Sequence, residues 1–208
     1  MKRSPPKGGL LLCSRRFGLA FLFVFDIESP DNKGLFKYQK HVFYIGGSMI
    51  EKIISGGQTG ADIAGLMVAK RYGLKTGGTM PRGWLTTSGP RPEWGDKFGL
   101  SEHSSAKYAP RTHKNVQESD ATIRLAFNFN SAGERCTLKS IHMCKKPHID
   151  VDLSDPIRHQ DVIDFMERYS VVTLNIAGNS EVTYNGTCGE VFEYLSKVME
   201  LLGLEERL

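Results

Sequence analysis

Most of the patterns that usually declare a function are missing from this sequence. Its four cysteines, Cys13, Cys136, Cys144 and Cys188, make no C-x-x-C pair and no zinc spacing with its six histidines. No metal site is therefore expected, and a reduced, cytoplasmic protein is the simplest fit. The apolar run Leu19 to Phe25, behind Arg15 and Arg16, imitates a signal peptide. At seven residues it is too short to span a bilayer, and no A-x-A-like cleavage site follows it, so neither secretion nor a membrane partner is expected. Strong charge is absent too. Residues 1 to 48 hold a net +5, which leaves −1 for the remainder of a chain whose formal charge is +4. A nucleic-acid binder would concentrate basic charge on its folded domain, so nucleic acid is not an expected partner. Neither G-x-G-x-x-G nor G-x-x-x-x-G-K-[ST] occurs, and the second absence argues against a P-loop triphosphatase.

The stretch from Ile53 to Asp62 is informative. An apolar strand runs through Ser55 into a turn made of Gly56, Gly57, Gln58, Thr59 and Gly60, and the turn opens a helix. Glycines allow positive φ and close backbone approach, and Thr59 and Asp62 have the T-x-x-acid spacing of a capping box. Free N–H groups and the positive end of a helix dipole suit a phosphate or other oxyanion. Two further turns could form similar nests: Asn128 to Glu134, which contains Gly133, and Gly178-Asn179-Ser180 with Gly186 to Gly189 ahead of the last helix. Each is also ordinary turn chemistry.

From Met49 onward strand-like and helix-like segments alternate. The expected strands are Ile50–Ser55, Leu74–Thr79, Ala121–Phe127, His148–Leu153 and Val171–Ala177. The expected helices are Gly60–Tyr72, Thr112–Ser119, Glu134–Lys145, one capped by Asp155 and running to about Tyr169, and one from Gly186 or Gly189 to Leu202. This order gives an α/β fold, a single three-layer domain with a mostly parallel sheet of about five strands. Met80 to Pro110, rich in glycine and proline, is left as a long loop of the kind that often carries function. Residues 1–48 differ in composition and are expected to be a disordered extension or an over-extended start. The Gly46-Gly47-Ser48 codons could carry a ribosome-binding site, so the expectation is that Met49 is the true start and 49–208 the ligand-binding domain. Mass spectrometry of the native protein tests this, and peptides from residues 1–48 would count against it.

Arginine is the planar, bidentate partner of phosphate. Arg82, after the Gly77-Gly78 turn, and Arg111, after Pro110, are the cations placed to complete an anion site. No base–nucleophile pair stands out, so catalytic residues are left unassigned.

Four motifs together carry a resemblance: Ser55 to Asp62, Gly77 to Gly83, Tyr108 to Asp120, and Asn175 to Gly178. From Met49 to about Leu202 the chain resembles the molybdenum cofactor carrier family, circularly permuted relatives of the YpsA-like branch of the SLOG superfamily. The resemblance implies a Rossmann-like domain, commonly oligomeric, that binds a nucleotide-like ligand or the molybdenum cofactor. It implies that Gly56 to Gly60 hold the phosphate and that Arg82, Arg111, Thr112, Asn115 and Asp120 border the pocket, with Gly78, Gly133 and Gly178 at the neighbouring turns. The chain departs from the family at Ser131 to Thr137, where a Gly-Gly-Thr-type turn is usual, and at Tyr184 to Gly189, where a proline-glycine turn is usual. The departure brings in Glu134, which would repel an anion. Two functions stay open: a binding protein for a phosphorylated small molecule, and a hydrolase of a phosphoester or N-glycosidic bond in which Asp62 or Asp120 activates water. A scaffold that has lost its ligand is the blander third.

Overall fold

Six strands form one sheet, and all five pairings in it are parallel. The structure, a computed structural model, describes the backbone of residues 12–16, 19–27 and 38–45 and the whole of 50–207. The chain divides into two units, 1–47 and 48–208. In the first, β1 (Leu12–Arg16), β2 (Leu19–Ile27) and β3 (Tyr38–Ile45) pair antiparallel in the order β1-β2-β3. The proposed start at Met49 lies outside the described residues.

The second unit runs β4 (Lys52–Ser55), α1 (Ala61–Arg71), β5 (Lys75–Met80), the two-residue strands β6 (Leu85–Thr86) and β7 (Gly89–Pro90), α2 (Glu93–Phe98) and β8 (Leu100–Glu102). It continues with α3 (Tyr108–Gln117), β9 (Ala121–Ala126), α4 (Ala132–Cys144), β10 (His148–Asp152), α5 (His159–Arg168), β11 (Thr173–Gly178) and α6 (Thr187–Leu201). The sheet order is β10-β9-β11-β4-β5-β8. Every residue of β9 is buried, as a central parallel strand requires, and Ile53, Ile123, Leu174 and Ile176 are fully enclosed. Helices α1, α6 and α5 pack in succession, and α3 packs on α4, which gives the three layers. Met166, Leu195 and Val198 join the strand residues in the larger core, and the apolar face of α5 recurs at Val162, Ile163, Phe165 and Met166.

The sheet has one strand more than the sequence implied. β8 is only three residues long and lies inside the stretch read as a loop. Leu100 anchors it beside Leu66, Met80 and Phe98, with Trp84 and Trp94 packed against them. The helix expected from Asp155 begins at His159 instead; the Asp152 carbonyl accepts from Asp155 N–H at 3.1 Å, which closes a turn first. Among the described residues no helix is long and apolar enough to cross a membrane.

The topology places the site. From β4 the chain moves outward to β5 and β8, then returns to β9 and moves the other way to β10. β11 comes last and fills the gap between β9 and β4. Ligands in open α/β sheets sit beyond the carboxyl ends of strands where the winding reverses.

Candidate functional site

A cavity of about 460 Å³ opens there. Gly56 and Gln58 after β4, Ser131 to Glu134 at the start of α4, and Asn175 to Ser180 at the end of β11 form three of its walls. Tyr108, Arg111, Thr112 and Asn115 of α3 form the fourth. Eight of the residues expected from sequence line it: Gly56, Gln58, Asp62, Arg111, Thr112, Asn115, Gly133 and Gly178.

The glycine loop is already satisfied from within. Gly57 N–H donates to Ser55 Oγ at 3.2 Å, Gln58 N–H to Asp62 Oδ2 at 3.1 Å, Thr59 N–H to Gln58 Oε1 at 2.9 Å, and Ala61 N–H to the Asn179 carbonyl at 3.0 Å. Gly56 N–H also serves Asp62. The capping box expected from Thr59 and Asp62 does not form. Gly60 is the N-cap, the Thr59 hydroxyl pairs with Thr87 Oγ1 at 2.8 Å, and the Asp62 carboxylate takes the position in the nest where a bound anion would sit. Arg111 Nη1 pairs with Asp62 Oδ2 at 3.2 Å and lies against the Cα of Gly56, so that any side chain there would displace it. Burial pushes the Asp62 carboxyl above its ordinary range, opposed chiefly by Arg111.

The third nest is filled in the same way. The Glu181 carboxylate accepts from Gly186 N–H at 2.8 Å and from Cys188 N–H at the start of α6. Asn179, 2% exposed, binds the loop after β9: its Oδ1 accepts from Phe127 and Asn128 N–H at 3.0 and 2.9 Å, and its Nδ2 donates to the Asn128 carbonyl. Phe127 stacks on Tyr184 with centroids 3.9 Å apart, closing that side.

The start of α4 keeps open donors at the cavity wall. Ser131 Oγ accepts from Glu134 N–H at 3.2 Å, while the N–H groups of Ala132 and Gly133 have no protein partner among the described residues. Arg111 lines the same cavity, with Nη1 paired to Asp62 and Nε buried without a hydrogen-bond partner. An anion on two N–H groups at a helix start, with a guanidinium next to it, is a chemically complete arrangement.

The other expected residues serve the scaffold. Ser55 is fully buried and its hydroxyl donates to the Asp62 carbonyl. Gly57, at φ +62°, faces Met80 and Leu100, away from the cavity. Gly60 abuts the Asn179 carbonyl, and Gly78 lets β5 approach the carbonyl of Ser55. Arg82 is exposed and does not line the cavity. Asp120 lies at the other end of the sheet, where its carboxylate accepts from Val172 and Thr173 N–H at 3.0 and 2.7 Å and holds the start of β11. Asn115, although it reaches the cavity, is fully occupied by the backbone of Thr79.

Glu134, read from sequence only as a repulsive presence, is 1% exposed, and its Oε2 has no hydrogen-bond partner. Behind it Arg124, 3% exposed, is clamped by the Asp150 carboxylate through Nε at 2.8 Å and a second, very short Nη2 contact. Arg124 Nη1 donates to the Glu134 carbonyl at 3.3 Å and lies 3.6 Å from Oε2. Burial pushes Glu134 up to about 7, with Asp62 and Asp150 adding to the rise and Arg124 opposing it. Gln58 Oε1 accepts from Thr87 N–H at 2.8 Å, which brings the β6–β7 turn to the rim. No pattern in the sequence signals Thr87, and the turn that contains Asn179 does not reveal its contacts; their partners lie about 29 and 51 positions away in the chain.

Comparison with known proteins bears on the fold and the family. No curated protein matches. The crystal structure named "Putative molybdenum carrier protein", from Syntrophus aciditrophicus SB, is similar at 31% sequence identity with a TM-score of 0.67, over 73% of this chain and 96% of that one. The sequence profile of the circularly permutated YpsA SLOG family matches residues 53–199, the segment that holds all four walls of the cavity, and the chain belongs to that family.

Proposed function

We propose that residues 50–207 form a binding protein for a phosphorylated, nucleotide-like ligand, the molybdenum cofactor among the candidates, acting in the cytoplasm as a homo-oligomer. The observation that carries this reading is the start of α4, where the N–H groups of Ala132 and Gly133 have no protein partner among the described residues and both residues line the same cavity as Arg111. A cavity of about 460 Å³ suits a small cofactor. Ala132, Gly133 and Arg111 would take the phosphate, and Asn175 to Ser180 would flank the rest of the ligand. The name of the similar Syntrophus structure points in the same direction.

Ligand screening by thermal shift tests the reading, because binding to the native state raises stability by mass action. A panel of nucleoside phosphates and a molybdopterin compound is expected to yield at least one that raises Tm. Arg111→Ala should weaken that ligand on the order of tenfold to a hundredfold, the value of a charge-assisted pair, and Arg111→Lys should weaken it less. Equal affinity of parent and alanine variant would remove Arg111 from the site. A hydrolytic reading draws support from Glu134, a carboxyl held near 7 in the cavity wall, while Asp120 is too distant to take part. Release of base or phosphate from the same panel would favour the hydrolase, and binding without turnover the carrier.

A further inference from the structure

We propose that Glu134 makes occupation of this cavity by a tetrahedral oxyanion depend on a proton: the anion binds with the Glu134 carboxyl protonated and is released as the carboxyl ionises. The inference rests on the binding function proposed above.

The geometry starts from a capping box left half made. Ser131 and Glu134 have the S-x-x-E spacing, and Ser131 Oγ takes its half of the exchange, accepting from Glu134 N–H. The Glu134 carboxyl, however, is turned inward into the cavity wall, where Oε2 is without a hydrogen bond. An ionised oxygen so placed is costly, whereas a protonated one is a donor without an acceptor. An oxyanion on the N–H groups of Ala132 and Gly133 would sit within the same helical turn as that carboxyl, where an ionised Glu134 repels it and a protonated one does not.

The surrounding charges favour the protonated form once an anion is present. β9 contributes Arg124, which opposes protonation through Nη1, 3.6 Å from Glu134 Oε2, while its Nε and Nη2 are spent on Asp150 of β10. α1 contributes Asp62, which is paired with Arg111 of α3. Tyr108 of α3 lines the cavity, His113 of α3 lies on Cys144 at the far end of α4, and β11 brings no titratable group. With Glu134 ionised, the cluster of Asp62, Asp150, Glu134, Arg111 and Arg124 carries −1; with Glu134 protonated it is neutral. A dianion entering this cluster raises the proton affinity of Glu134 further, so binding above its free pKa takes up one proton. Burial already holds that pKa at about 7, within the physiological range. Linkage then sets the sign: affinity is flat below about 7 and falls by up to roughly tenfold per pH unit above it.

Sulfate is the probe, since it does not titrate near neutrality. Calorimetric titration of the full chain with sodium sulfate at fixed ionic strength, at pH 6.5 and 8.5 and in two buffers of different ionisation heat, reads both affinity and proton uptake. Binding should weaken by tenfold or more between the two pH values, with close to one proton taken up at pH 8.5. Glu134→Gln should bind sulfate equally at both and take up none. The parent's buffer dependence is decisive even if that variant folds poorly. Parent affinity independent of pH without proton uptake, or a glutamine variant that keeps the slope, overturns the proton coupling and leaves the binding function standing. Sulfate that binds at neither pH overturns both.

Discussion

Replacing Arg124 with methionine is expected to destabilise the protein, and by about 1–1.5 kcal/mol more at pH 8 than near pH 5, because a Glu134 left without its partner takes up a proton rather than staying ionised. Arg124 is the one group that lowers the pKa of Glu134; burial, Asp62 and Asp150 all raise it. The folded-state value of about 7 lies above the ordinary 4.5, so the favourable contribution of the protonated form is full below the unfolded value and is lost as pH rises through about 7. The cost of ionised Glu134 is already of the order of 3 kcal/mol with Arg124 in place. Without Arg124 the loss grows at pH 8, while at pH 5 Glu134 is protonated with or without its partner. Asp150 is partly exposed and can turn to water. Combining Arg124→Met with Glu134→Gln should remove this pH-dependent part of the loss, because an amide does not titrate. Urea denaturation of parent, both single variants and the double variant at pH 5 and 8 measures this, and equal losses at the two pH values would remove Glu134 from the explanation.

Gly178→Ala should be severe at any pH, for a purely steric reason. Gly178 ends β11 in register with Leu125 of β9, and a Cβ on it would lie 1.9 Å from the Leu125 carbonyl oxygen and 2.7 Å from Ala61 Cβ. Both neighbours belong to rigid elements, so the strand pair must separate. A loss of about 3 kcal/mol or more is expected, at the upper end for single substitutions. Gly189→Ala is the control. It lies in the first turn of α6 with nothing within 4 Å of its virtual Cβ, so alanine there should be neutral or stabilising by up to about 1 kcal/mol. Thermal melts of the two variants give the comparison, and a Gly178→Ala protein as stable as its parent would mean that β9 and β11 approach less closely than described.

The alternation of elements was legible because the apolar periodicity of β4, α1, β9 and α5 is strong. β8 was not, since three residues with a single buried leucine cannot stand out among glycines and prolines. In the site, sequence located the turns but not their occupants. Asp62 was read as a cap for its own helix, yet its carboxylate reaches back into the loop it was expected to leave open. Glu181 does the same for α6. Each is a short-range side-chain-to-backbone choice that depends on how the loop folds over, and no spacing rule encodes it. Asp120 was near the right motif at the wrong end of a strand. Glu134 gained its character from Arg124, Asp150 and Asp62, which lie on β9, β10 and α1 and meet only when the sheet is complete.

β11 is the last strand in the chain and the one that joins the two halves of the sheet. A ribosome that has delivered everything through α5 has made β4, β5 and β8 as one fragment and β9 with β10 as another, each with an unpaired edge facing the gap. Such edges invite pairing with foreign chains. The cavity floor cannot exist until residues near Gly178 have left the exit tunnel and threaded between the two fragments. A nascent chain stalled or truncated before that point is thus without a binding site and prone to aggregation, and any ligand can rescue only molecules whose synthesis has finished.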